Sequence, residues 1–104
     1  MIIDHRTYVT KHGRLNEFLD RYEKMALGVQ KQYLENLVGY FTTDIGLQNQ
    51  VVHLWAYKSL DDRDERRSRM EKDPAWKAFK EANAGVFVSQ ENKILKPVHF
   101  SPIK

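Results

Sequence analysis

Asn36 to Tyr57 reads NLVGYFTTDIGLQNQVVHLWAY, two β-rich runs on either side of a polar turn. Leu37 to Ile45 and Gln50 to Lys58 are rich in β-branched and aromatic residues, and Gly46-Leu47-Gln48-Asn49 between them is a hairpin-type connection. Side chains alternate along a strand, so Val51, His53, Trp55 and Tyr57 share one face while Val52, Leu54 and Ala56 share the other. Both faces are apolar, and both need a cover.

The flanking sequence supplies one cover. Ile2 to Val9 reads as a first strand that ends at the turn Lys11-His12-Gly13. Leu15, Phe18, Leu19, Tyr22, Met25, Ala26 and Val29 then recur at spacings of three and four, the stripe of an amphipathic helix. After the hairpin, Ser59 is suited to cap a second helical segment, with Asp62 in a capping-box position and Leu60 and Met70 as its apolar anchors. Asp73-Pro74 starts another, because Asp caps free amides and Pro at the first position gives up a hydrogen bond that would be missing anyway. Trp76, Phe79 and Ala82 are its expected buried side, and Val86 to Leu95 contains the last strand. The order βαββαβ predicts a ferredoxin-like α+β fold, a single domain over residues 1–104 with a four-stranded antiparallel sheet.

Helices on one side leave the other face of such a sheet bare. Covering it with a second copy buries on the order of 800 Å² per partner, worth about 20 kcal/mol gross at roughly 25 cal/mol/Å² on the apolar half, against an association cost of about 4–15 kcal/mol. A homodimer or higher homo-oligomer is therefore the expected assembly.

Composition excludes other classes. The net charge is +3, but acids and bases interleave; Asp61 to Asp73 holds six acids against five bases, a solvated helix surface rather than a phosphate-binding patch, and no nucleic-acid partner is expected. There is no apolar run long enough for a membrane span and no leader-like start, so a cytoplasmic location is expected. Zero cysteines fit a reducing compartment and remove thiolate chemistry. His5, His12, His53 and His99 lack metal-pair spacing, so no metal is expected, and there is neither a glycine-rich phosphate loop nor a GxSxG elbow.

Arg6-Thr7-Tyr8, Gly13, Leu37-Val38-Gly39-Tyr40-Phe41, Val52-His53-Leu54-Trp55-Ala56-Tyr57, Asp73-Pro74-Ala75-Trp76 and Ser89-Gln90-Glu91-Asn92-Lys93-Ile94-Leu95 occur in an order and spacing that resembles the NIPSNAP family across nearly the whole chain. The resemblance implies a ferredoxin-like unit paired into a dimeric α+β barrel, in a superfamily that includes cofactor-free monooxygenases, isomerases and haem-degrading enzymes. This short chain is similar to the stand-alone bacterial type rather than to the mitochondrial animal members. The family brings no agreed catalytic residues.

Candidate chemistry therefore comes from the residues themselves. His53 can exchange a proton near neutral pH and is the candidate catalytic residue. Arg6, Tyr8, Tyr40 and Trp55 are the candidate ligand-binding set: Arg6 for a carboxylate or enolate, tyrosine hydroxyls for orientation, and Trp55 as a flat apolar wall. Together they suit a small aromatic or acidic ligand and a cofactor-independent oxygenase or isomerase. The competing reading is a non-catalytic interaction module, in which His53 is packed, Arg6 pairs with Asp4 or Glu91, and the aromatic residues are core. Haem binding has only superfamily-level support. An enclosed pocket holding His53 separates the first reading from the second.

Overall fold

The computed structural model describes residues 1–104. Its elements are β1 (Ile2–Thr10), α1 (Leu15–Met25), α2 (Leu27–Leu34), β2 (Leu37–Thr42), β3 (Gln50–Tyr57), α3 (Leu60–Glu71), α4 (Pro74–Ala82) and β4 (Phe87–Leu95). The four strands form one antiparallel sheet in the order β2-β3-β1-β4, as the ferredoxin-like plan requires.

Each helical half is a pair of helices. The first stripe breaks at Ala26, which is fully buried and leaves helical geometry at φ −117°. Leu27-Gly28-Val29 beyond it contains two weak helix formers, a glycine and a β-branched residue. The break turns Met25 out to solvent and lets α2 bury Gln30 and Leu34 and lie along α3. Tyr33 of α2 donates its hydroxyl to Asp73 Oδ2 at 2.7 Å, while Asp73 Oδ1 accepts the Ala75 amide at 2.8 Å. One carboxylate thus caps α4 and ties α2 to it.

Other local expectations hold with small shifts. Ser59 Oγ accepts the Asp62 amide at 3.1 Å, and Asp62 in return accepts the Lys58 amide at 3.0 Å, one residue before the usual capping-box partner. The second strand stops at Thr42, whose partner is Val51, and residues 43–49 form the connection to β3. Leu60 and Ala82 are exposed rather than buried; Met70, Trp76 and Phe79 do the anchoring.

Register decides which residues meet. Arg6 of β1 and Tyr40 of β2 both stand opposite His53 of β3, and Asp4 stands opposite Trp55. All these point to the helix layer, where Phe18, Tyr22, Met70, Trp76 and Phe79 complete the core. The other face carries Val52, Leu54 and Ala56, half-buried, with Phe41 at 56% exposure beside them. Gly39 permits that arrangement: a Cβ there would stand 2.5 Å from the Phe41 ring. The core cluster that includes the helices lies on the first face; on this one Ile3 of β1 is nonetheless only 7% exposed.

Candidate functional site

Between the sheet and the helices lies a cavity of about 460 Å³. Strand residues Arg6, Tyr8, Tyr40 and His53 form its floor, and Tyr22, Trp76, Phe79 and Arg67 of the helices are among its walls. Four of the five sequence-derived candidates are therefore gathered at one site. Trp55 is the exception. It is fully buried behind His53, to which it donates a hydrogen bond, and does not line the cavity.

That hydrogen bond fixes the state of His53. Indole Nε1–H only donates, so His53 Nδ1, at 2.9 Å, must accept, and the neutral ring carries its hydrogen on Nε2. Tyr40 stacks on the imidazole at 4.5 Å between centroids, and Tyr8 meets it edge-on at 4.9 Å. Only 2% of the residue is exposed, and Nε2 is buried without a hydrogen-bond partner. Burial, followed by the nearby Arg6 charge, pushes the His53 pKa down to about 3. At neutral pH His53 is an uncharged, enclosed ring and a weak base.

Beside it runs a chain of charge-assisted hydrogen bonds. Arg6 Nη1 donates to Asp4 Oδ2 at 3.0 Å, Arg63 Nε donates to the same oxygen at 3.0 Å, and Asn92 Nδ2 reaches Oδ1 at 3.4 Å. Burial alone works to raise the Asp4 pKa; the Arg6 and Arg63 guanidiniums outweigh it and hold the carboxyl below its usual value. Arg6 Nε then donates to the Tyr8 hydroxyl oxygen at 2.6 Å. Arg6 is thus committed on both sides, to a carboxylate and to a phenol.

The sequence profile described as NIPSNAP matches residues 3–102. The chain belongs to the NIPSNAP family. It is 35% identical to human protein NipSnap homolog 3A, covering 86% of this chain and 36% of that protein, and 33% identical to the NipSnap homolog of Dictyostelium discoideum, covering 89% and 41%. This NIPSNAP chain therefore spans well under half the length of these relatives. Among solved structures it is similar to an Agrobacterium tumefaciens protein at 43% identity and a TM-score of 0.96, with both chains fully covered. A NIPSNAP domain protein from Burkholderia xenovorans, described as uncharacterised, shows 37% identity and a TM-score of 0.92 over 98% of this chain and 99% of its own. An antibiotic biosynthesis monooxygenase at 10% identity and a TM-score of 0.67, with 94% and 99% covered, shares the fold alone. No helix is long and apolar enough to cross a membrane.

Two contributions went beyond the sequence reading of this NIPSNAP domain. The Arg6–Asp4 pair weighed under the interaction-module reading is present, but only the register and the arrival of Arg63 from α3 reveal Asp4 as a buried ionic centre. Arg67 lies in the charge-rich helix read as solvated surface. Arg63, Arg66 and Arg69 of that helix each pair with a carboxylate, whereas Arg67, half-buried at the cavity, pairs with none. A signal was present in the spacing: Arg67 precedes the anchor Met70 by three residues, on the same side of the helix.

Proposed function

We propose that this chain is a small-molecule-binding protein working as a homodimer, with its ligand seated in the cavity between sheet and helices, in the manner of a cofactor-free oxygenase or isomerase. The observation that carries this reading is the cavity itself. Its volume of about 460 Å³ suits a small aromatic or acidic molecule, and Arg6, Tyr8, Tyr40 and His53 converge on it. Pairing through the face of Val52, Leu54 and Phe41 is supported by the apolar surface left there. A cytoplasmic location fits a chain without cysteine.

His53 serves this reading as part of the cavity floor rather than as the proton carrier. A second reading, a non-catalytic interaction module, draws on the same fact: His53 is stacked on Tyr40, met edge-on by Tyr8 and hydrogen-bonded to a core tryptophan. The cavity beside the ring favours the first. Mass spectrometry of freshly purified protein under non-denaturing conditions, with thermal unfolding against a panel of small aromatic acids, separates the two. A bound small molecule or a concentration-dependent rise in Tm is expected. If no molecule is carried along and no compound raises Tm, the interaction module is the better account.

A further inference from the structure

We propose that Tyr8 is the hydrogen-bond and proton donor of the cavity, presenting its hydroxyl hydrogen to a carboxylate or enolate oxygen of a small planar ligand whose charge Arg67 holds. The inference rests on the reading of the cavity as a ligand site and names the ligand's chemistry.

Donor direction is the first argument. Guanidinium groups cannot accept hydrogen bonds, so in the Arg6 Nε to Tyr8 contact of 2.6 Å the phenol oxygen is the acceptor. The Tyr8 hydrogen must point elsewhere, and no protein atom accepts it. A positive group on the oxygen polarises the remaining O–H bond and makes it a stronger donor. Arg6 is held for this by Asp4, itself held by Arg63, so the support of Tyr8 reaches through the sheet to α3. The Tyr8 ring is fixed as well, with His53 on one side and Phe87 at 5.0 Å on another.

The balance of donors and acceptors is the second. The buried acceptors of the cavity are already in use: Gln30 Oε1 accepts from the Tyr22 hydroxyl, and Asn83 Oδ1 from Arg21 at 3.0 Å. The carboxylate of Glu71 is tied to Lys80 at 3.1 Å. Donors are left over. Besides Tyr8 there is Trp76, more than nine-tenths buried, whose Nε1–H has no partner, and there is Arg67, which lies beside the Tyr57 hydroxyl but has no carboxylate partner. A cavity whose buried acceptors are in use and whose buried donors are free is complementary to an anion rich in oxygen acceptors. Aromatic walls from Tyr22, Tyr40 and Phe79 favour a flat one. Protonation of an enolate carbon or oxygen by Tyr8 would leave a phenolate facing Arg6, so charge is conserved within the pair.

The test uses two probes of similar shape, para-nitrophenolate and nitrobenzene, titrated calorimetrically into the wild type and into Tyr8→Phe and Arg67→Met. Tyr8→Phe keeps the ring and its packing. Losing a hydrogen bond to a charged oxygen is expected to weaken para-nitrophenolate about ten-fold or more and to leave nitrobenzene within about two-fold. Arg67→Met should act the same way. Within the wild type alone, bound para-nitrophenol should show the phenolate absorption at a pH where the free probe is largely protonated. Equal binding of para-nitrophenolate by wild type and Tyr8→Phe overturns the inference. Binding of nitrobenzene without para-nitrophenolate overturns it too, while leaving the cavity as a ligand site. If wild type binds neither and shows no absorption change, both readings fall.

Discussion

The two faces of strand β3 lie one residue apart and have opposite chemistry. Toward the helices, Val51, His53, Trp55 and Tyr57 are all buried, and their neighbours on β1 include a wholly buried carboxylate, Asp4. Toward the open side, Val52, Leu54 and Ala56 are plain aliphatic residues left half-buried. The covered face can hold a carboxylate and its guanidiniums because Asp4, Arg6 and Arg63 bind one another within one chain. The open face keeps its polar groups to β1 and β4, where His5, Thr7, Glu91 and Lys93 share it, while its β3 strip is non-directional apolar surface of the kind that tolerates a partner arriving. Covered chemistry and open adhesion are divided by the two-residue period of the strand.

The largest expected effect strikes the covered face. Asp4→Asn keeps the shape but removes the charge that Arg6 and Arg63 share at 3.0 Å each, leaving two guanidiniums largely withdrawn from water. Breaking one side of a buried ionic group costs about 3–5 kcal/mol. Urea unfolding should show the unfolding free energy falling by that amount at neutral pH. A loss under about 1 kcal/mol would mean that the centre is hydrated and that the covered face is not the dry layer described.

An interface substitution tests the other side. Leu54→Glu, with Phe41→Glu as an independent variant at a more exposed position, places a carboxylate on the open face. If a second copy covers it, association should weaken by about a hundred-fold or more, or about 2.7 kcal/mol, in sedimentation or light scattering, with Tm at high dilution little changed. A wild-type protein that sediments as a monomer at every concentration removes the adhesive role from this face altogether.

Acid titration resolves two groups of the covered face in one experiment. Folded His53 takes its proton only near pH 3, whereas the unfolded residue takes it near 6.5. Between those values the unfolded state binds more protons, so stability is complete above pH 6.5 and falls as pH drops, by about 1.4 kcal/mol per pH step. From pH 6.5 to about 5 the loss should be about 2 kcal/mol. The ionisable groups that bear on the ring are Arg6, Asp4, Arg67 and His5. Asp4, with its lowered pKa, contributes stability of the same sign but loses it only below its unfolded value of 3.8, so the two windows separate. His53→Gln should flatten the upper window and leave the lower one. A wild-type curve level from pH 6.5 to 5 would place His53 in contact with water.

How much of this could be read beforehand follows the range of the interactions. Strand alternation, Ser59 and Asp73 as caps and the split βαβ order are local, and the sequence carries them within a few residues. The covered and open faces of β3 were separable by parity alone, but not which of them the helices would take. Arg6 and Tyr40 beside His53 depend on register between strands far apart in the chain, and only the assembled sheet sets it. The break at Ala26 lies outside the reach of periodicity because the apolar spacing continues smoothly through it. Arg67 was missed because a charge in a charged run looks solvated until each neighbour has found its own carboxylate. Trp55 had the right face and the wrong role, since pointing into a core does not say which residue stands in front.

The smallest effect concerns that role. Trp55→Phe removes the one donor that reaches His53 Nδ1 at 2.9 Å, leaving a buried acceptor unmatched. An unsatisfied buried group costs about 1–3 kcal/mol, and the smaller ring adds to the loss, so stability should fall by about 2 kcal/mol. Stability alone would not distinguish a lost hydrogen bond from poorer packing. The imidazole nitrogen chemical shifts do: wild-type His53 should show a single neutral form with hydrogen on Nε2, and the variant a mixture. If the variant keeps the pure Nε2–H form, the tautomer is imposed by something other than Trp55. If the wild type is already mixed, the indole bond does not order the ring, and the covered face loses the rigidity that distinguishes it from the open one.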